Sequence, residues 1–164
     1  MAARTSDEMF THASTRAPVK VADLPRAPAR RVAVLTCMDA RIDLAALFGL
    51  ALGDANVLRN AGGVVTADVR RTLAISQRLL GTTEIVVLGH TGCGMLDVDD
   101  QEFTAVLREE TGQVPDWPVA GFRDLDERVR QSVAELAADP FLPARDVIRG
   151  VVYDLASGEV REVR

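Results

Sequence analysis

Three short segments that are typical of strands constrain this chain more than any other feature, and the first and third of them are continuous apolar runs. The three segments read RVAVLTC from Arg31, ANVLRN from Ala55 and EIVVLGH from Glu84. Continuous apolar runs of this length are typical of strands that are buried on both faces of a parallel sheet. Helical patterns separate them, and alternating strands and helices predict βαβ units. We therefore expect an α/β fold with a central, mainly parallel β-sheet flanked by helices.

The segments between and around these strands predict the remaining elements. Thr66 is a candidate N-cap, and Asp43 is better suited to cap a helix than to act in catalysis. After the last helix, the sequence VIRGVVYDLASGEVREV predicts a C-terminal strand pair joined by a turn at residues 156–158. Helices are expected at residues 6–15, 42–50, 67–80, 101–110 and 125–138, and the apolar positions of the third are Val69, Leu73, Ile75, Leu79 and Leu80.

Length and composition indicate one domain preceded by an arm. Residues 1–30 are expected to form an N-terminal helical arm, since prolines interrupt them and apolar residues are sparse. Residues 31–164 are long enough to bury one core and are predicted to form a single α/β zinc-binding catalytic domain. The N-terminus lacks the apolar stretch of a secretory signal, and no apolar run reaches 18 residues, so we expect a cytoplasmic location and no membrane partner.

Charge and aromatic content argue against a nucleic-acid partner. The net charge is −5 and aromatic residues make up 4% of the chain. An acidic chain does not present a broad positive surface to a phosphate backbone, and few aromatic residues are available to stack on bases.

Unusual polar residues follow each of the three predicted strands. The first strand ends in Cys37-Met38-Asp39-Ala40-Arg41, the second in Arg59-Asn60-Ala61-Gly62-Gly63, and the third in His90-Thr91-Gly92-Cys93-Gly94. Functional groups of α/β proteins gather beyond the carboxyl ends of parallel strands. All three segments should therefore meet at one edge of the sheet.

Cys37, His90 and Cys93 form a candidate zinc site. Thiolate and imidazole are the ligands that zinc favours, and a catalytic site supplies three of them and leaves a fourth position open. Two buried thiols without a metal, or a disulfide between them, are the alternatives. A fourth thiol or imidazole is not evident, which favours a catalytic site over a closed structural one.

Asp39 and Arg41 are the candidate catalytic pair, because a carboxylate beside a guanidinium stays ionised and is held in one orientation. Such an aspartate could accept a hydrogen bond from a metal-bound water or bind the metal itself. Gly62 and Gly63 are candidate substrate-binding residues, since a glycine turn exposes backbone N–H groups to a small anion. An ordinary turn is the alternative for the two glycines.

Taken together, these motifs are similar to those of a known enzyme family. C-x-D-x-R after one strand, R-N-A-G-G after the next and G-H-T-x-C-G after the third resemble the β-class carbonic anhydrases, in particular their compact prokaryotic members. The resemblance implies zinc-dependent, reversible hydration of carbon dioxide to bicarbonate and a proton. It also implies that Asp39 orients the attacking water, that Arg41 holds Asp39, and that the backbone near Gly63 seats bicarbonate. Self-association as a dimer or tetramer is implied too, with the N-terminal arm as a candidate to wrap the neighbouring subunit.

Two other functions are compatible with the same residues. The scaffold and ligand set could hydrolyse carbon disulfide or carbonyl sulfide, and assays of those substrates beside carbon dioxide would discriminate between them. A zinc-bearing structural or regulatory module is the non-enzymatic alternative. Loss of Asp39 or Arg41 would have favoured that module, and both residues are present.

Overall fold

The computed structural model of the chain describes residues 4–19 and 21–164. A single five-stranded sheet runs through it in the order β2-β1-β3-β4-β5. The first four strands are parallel, and β5 pairs antiparallel with β4. The predicted mainly parallel sheet and C-terminal strand pair are therefore confirmed. The strands are β1 (Val32–Cys37), β2 (Ala55–Asn60), β3 (Glu84–His90), β4 (Ile148–Tyr153) and β5 (Val160–Val163).

Five α-helices lie among the described residues, and their ends follow the capping residues of the sequence. Asp43 accepts hydrogen bonds from the backbone N–H groups of the next helix, and Thr66 caps the helix after β2 in the same way. The first helix begins at Thr5, one residue earlier than expected, with Arg4 in the N-cap position. The helices are α1 (Thr5–Thr15), α2 (Leu44–Phe48), α3 (Ala67–Leu80), α4 (Asp100–Thr111) and α5 (Leu125–Ala137).

Both faces of the sheet are covered, and each carries its own apolar cluster. On one face, side chains of α3 and α5 pack against alternate residues of β1 and β3, with Leu73 and Leu136 fully buried. On the other face, Leu44 and Phe122 pack with Val34 and Leu88. This second cluster also includes Cys37 and Cys93, so the candidate ligands are part of the core.

The predicted apolar positions of α3 are only partly core, because Val69 and Leu73 are buried but two others are exposed. In α3, Ile75 is 38% exposed and Leu79 is 76% exposed. The buried face of this helix consists of Val69, Leu73, Ser76 and Gln77. Ser76 Oγ is hydrogen-bonded there to Asn56 and Thr82. Helix α4 has no buried residue, and its apolar side chains Phe103 and Val106 are each 43% exposed.

The N-terminal segment stands apart from this core. Residues 4–19 and 21–27 are all exposed, and the first buried residue along the described chain is Pro28. Within the described residues, no helix has the length and apolar character needed to cross a bilayer. The prediction for residues 1–3 and Lys20 lies outside the described residues.

A buried carboxylate ties α3 to the segment that follows α5. The side chain of Asp139 is 1% exposed and accepts a hydrogen bond of 2.6 Å from Arg70 Nε. Its Oδ1 accepts a second hydrogen bond of 2.9 Å from the backbone N–H of Phe141. The hydrogen-bonded guanidinium of Arg70 lowers the pKa of the Asp139 carboxyl.

We predict that Asp139→Asn lowers the free energy of unfolding at neutral pH. The expected loss is about 1–2 kcal/mol, because a charge-assisted hydrogen bond is weakened and its partner Arg70 is half exposed. Since the folded-state pKa is depressed, this stabilisation is present above the unfolded pKa of about 3.9 and is lost as the pH falls below it. Urea unfolding of both proteins at pH 7 and at about pH 3 measures the effect.

The exposed residue Asp146 provides the matched control, and Asp146→Asn should leave the free energy of unfolding nearly unchanged. A difference between wild type and Asp139→Asn that stays constant with pH would show that the carboxylate charge is not the source of the stabilisation.

Candidate metal centre

The sheet brings the three candidate ligands to one point. Strands β1 and β3 are neighbours, so Cys37 at the end of β1 lies beside the turn that begins at His90. One ligand atom from each of Cys37, His90 and Cys93 lies within 4.8 Å of the others. The two Sγ atoms are 3.8 Å apart, and neither cysteine is in a disulfide.

The imidazole of His90 is fixed with one nitrogen left free. Its Nδ1 lies 3.0 Å from the carbonyl oxygen of Thr91, so Nδ1–H can donate to that oxygen. This contact selects the tautomer in which Nε2 carries a lone pair, as is usual for histidines that bind metals. His90 is only 1% exposed, and Nε2 is buried without a hydrogen-bond partner in the structure. A buried polar atom without a hydrogen-bond partner destabilises the folded state, so a bound ligand or ion is expected to satisfy it.

This donor set fits zinc. Two sulfurs bound tetrahedrally to one zinc at about 2.3 Å would be separated by about 3.8 Å, which matches the observed separation of 3.8 Å. Burial raises the pKa of the Cys93 thiol. A divalent cation reverses that preference, because its charge favours the thiolate form of a coordinating cysteine.

Asp39 and Arg41 form a two-pronged ion pair beside these ligands. Arg41 Nε donates to Asp39 Oδ1 at 2.9 Å, and Arg41 Nη2 donates to Oδ2 at 2.6 Å. The hydrogen-bonded guanidinium of Arg41 holds the pKa of the Asp39 carboxyl well below its usual range. Asp39 Oδ2 lies 3.9 Å from His90 Nε2, so the carboxylate stands at the edge of the ligand cluster. The predicted pair is therefore brought together with the predicted ligands.

Gly63 packs against the end of β1 through its backbone, and Gly62 precedes it in the same turn. They form a short 3₁₀ turn with Ala61, and both have positive φ, 79° and 63°. A Cβ on Gly63 would lie 3.0 Å from the backbone nitrogen of Cys37, closer than normal contacts allow. Glycine is therefore required for the turn to pack against the end of β1.

Sequence reasoning left two contributors without a role. Arg59 was noted only as part of the R-N-A-G-G motif, yet it donates to the backbone carbonyls of Asp39 and Ile42. The carbonyl oxygen of Gly92 accepts a hydrogen bond of 2.9 Å from Arg41 Nη2 and so joins the two halves of the site. The R-N-A-G-G motif is the sequence feature that marks Arg59 as a candidate site residue. No side-chain pattern identifies a backbone carbonyl as a hydrogen-bond acceptor.

A comparison with known protein families agrees with this geometry. The family described as carbonic anhydrase matches residues 32–160, which include all seven candidate site residues. The chain belongs to the carbonic anhydrase family. Carbonic anhydrases are lyases that use zinc to hydrate carbon dioxide reversibly to bicarbonate and a proton, and this is the activity of the chain.

Individual relatives place this carbonic anhydrase within the β class. It is 47% identical over 140 residues to β-carbonic anhydrase 1 of Mycobacterium tuberculosis, covering 85% of this chain and 86% of the relative. A solved carbonic anhydrase from Streptococcus mutans superposes with a TM-score of 0.87 at 41% identity, covering 100% of both chains. A carbon disulfide hydrolase of Acidithiobacillus thiooxidans is 30% identical, covering 80% of this chain and 76% of the relative.

We predict that Gly63→Ala impairs metal retention by this carbonic anhydrase. The added Cβ would displace the backbone of Thr36 and Cys37, which lie 2.9 and 3.0 Å from it. Zinc content per chain after dialysis against a chelator, measured beside the free energy of unfolding, tests this expectation.

Gly81→Ala is the matched control. Gly81 also has positive φ, 73°, but a Cβ there would meet nothing within 4 Å. Both variants should lose about 1 kcal/mol of stability from the strained backbone, and only Gly63→Ala should lose zinc faster than wild type. Equal zinc retention in the two variants would contradict the packing argument.

Proposed function

We propose that Cys37, His90 and Cys93 hold the zinc ion of this carbonic anhydrase and that Asp39 and Arg41 orient the water that attacks carbon dioxide. The observation that carries the proposal is the buried His90 Nε2, which has no partner in the structure, beside two sulfurs 3.8 Å apart. Two cysteines and one histidine leave a fourth position for water, as in other catalytic zinc sites.

When bound, zinc supplies the acidification that makes water a nucleophile near neutral pH. The residues of the chain then set the direction of attack. Asp39 is ionised, so its carboxylate accepts a hydrogen bond and cannot donate one. A water that donates to Asp39 keeps a lone pair free to face the carbon of carbon dioxide. Arg41 holds the carboxylate in place through its two hydrogen bonds.

The backbone of Gly62 and Gly63 is the proposed seat for bicarbonate. Support comes from the contact of Gly63 with the backbone of Cys37 and from the lack of side chains on this turn, which leaves room for a small anion. Asn60 holds the turn in shape, since its side chain both accepts from and donates to the backbone of Val64 at 2.8 Å.

We also propose that residues 31–164 form one catalytic domain and that residues 1–30 are an arm that binds a second copy of the chain as a dimer or tetramer forms. Met9 is 68% exposed and Phe10 is 74% exposed on α1. An isolated helix of 11 residues is marginal in water. Covering these side chains with a neighbouring subunit would stabilise the helix.

A double substitution of Met9 and Phe10 by Ser should shift the protein toward smaller species in sedimentation velocity, because it removes the apolar contacts proposed for the arm. Glu8→Gln on the same helix is the control and should sediment like wild type. An unchanged assembly in the double variant would exclude these two side chains from the interface.

A cytoplasmic location is proposed from the chemistry of the cysteines. Both are free and buried in the structure, and zinc ligation needs them reduced, as the cytosol keeps them. Recovery of the protein in a periplasmic or extracellular fraction would contradict this proposal.

The proposed residue roles predict that some substitutions lose zinc and that others lose only hydration activity. Cys93→Ser should lose zinc together with carbon dioxide hydration, because one of three ligands is weakened. Asp39→Asn should keep zinc but lower kcat/KM by about 100-fold or more, because an amide no longer accepts and orients as the carboxylate does. Metal analysis and stopped-flow hydration assays on each variant provide the readouts.

Asp43→Asn is the control for Asp39→Asn, since Asp43 lies in the same loop but only caps α2. Asp43→Asn should retain both the zinc content and the hydration rate of wild type. Full zinc content and a full hydration rate in Cys93→Ser would exclude Cys93 as a ligand.

Carbon disulfide is assayed with the same proteins, and its hydrolysis at a rate above that of carbon dioxide hydration would contradict the assigned substrate.

A further inference from the structure

Arg59 connects the outer strand of the sheet to the loop that carries the catalytic pair. It is the penultimate residue of β2 and lies opposite Thr36 in the register with β1. Its Nη2 donates to the carbonyl oxygen of Ile42 at 2.7 Å, and its Nη1 donates to the carbonyl oxygen of Asp39 at 3.3 Å. One guanidinium thus spans both ends of the turn at residues 39–42.

Within the turn, the backbone N–H of Arg41 donates to Asp39 Oδ1 at 2.9 Å. The turn's own closing hydrogen bond, from Ile42 N–H to the carbonyl oxygen of Asp39, is 3.2 Å long. The adjacent Met38 N–H donates to the carbonyl oxygen of Asn60 at 2.9 Å. Two consecutive residues of β2 therefore supply three hydrogen bonds to residues 38–42, and Arg59 makes two of them.

Both members of the catalytic pair project from this turn. The guanidinium of Arg41 donates to the Asp39 carboxylate at 2.9 and 2.6 Å and also to the Gly92 carbonyl oxygen at 2.9 Å. Movement of the turn would carry the Asp39 carboxylate away from its place 3.9 Å from His90 Nε2. Displacement of a catalytic group by about 1 Å can cost about 100-fold in rate.

We infer that Arg59 is a positioning residue for carbon dioxide hydration, which acts by fixing the backbone of the turn that presents Asp39 and Arg41. The inference rests on the roles proposed above for Asp39 and Arg41. The hydrogen bonds of Arg59 reach backbone carbonyl oxygens and neither the Asp39 carboxylate nor a proposed ligand atom, so its effect on the reaction passes through the turn.

The test compares Arg59→Gln in two backgrounds. In the wild-type background it should lower kcat/KM for carbon dioxide by about 10-fold while zinc content stays at the wild-type level. In the Asp39→Asn background it should lower kcat/KM by less than about 2-fold, because the group that it positions is already lost. Arg59→Lys, which can still donate to one carbonyl, should fall between wild type and Arg59→Gln.

Arg78→Gln is the matched control, since Arg78 also donates to a backbone carbonyl, that of Phe141, far from the site. It should keep wild-type kcat/KM. An unchanged rate in Arg59→Gln, or an equal loss in both backgrounds, would overturn the inference. If Arg59→Gln does not fold, Arg59→Lys carries the same comparison. A wild-type rate in Asp39→Asn alone would instead refute the proposed role of Asp39.

Discussion

The structure depends on placing three candidate metal ligands inside an apolar core. Cys37, His90 and Cys93 are each at most 6% exposed, and they lie among Leu88, Phe122 and their neighbours. Burying an imidazole nitrogen without a partner is unfavourable, and so is burying thiolates. A bound cation removes both costs at once. The metal is therefore expected to contribute to folding as well as to catalysis.

Fixing these atoms requires rigidity from the elements around them. Strand β1 supplies Cys37 and β3 leads to His90 and Cys93, while the turn after β2 packs against the Cys37 backbone through Gly63. The surrounding hydrogen bonds run between backbone carbonyls and arginine side chains. Such contacts orient the catalytic pair proposed above without placing further side chains near the candidate ligands.

The sequence was sufficient to predict the sheet and the closeness of the three candidate ligands, for a physical reason. Parallel strands buried on both faces need unbroken apolar runs, and their carboxyl ends must share one edge, so Cys37 and His90 could be placed together without coordinates. Helix faces were less predictable. In α3 the predicted Val69 and Leu73 are buried, but Ile75 and Leu79 are exposed. The polar residues Ser76 and Gln77 share the buried face, and Ser76 is accommodated there by its hydrogen bonds. The roles of Arg59 and the Gly92 carbonyl depend on tertiary geometry that no pattern in one chain encodes.

The order of the strands has a consequence for slow motions. The strands β1 and β3, which lead to the proposed ligands, occupy interior positions in the sheet, while the four-residue β5 lies at one edge and β2 at the other. Opening of a protein usually begins at its short and exposed elements. Amide protons of β5 should therefore exchange with solvent well before those of β1 and β3. The strands beneath the ligands would then remain closed through the fluctuations that release the C-terminal strand.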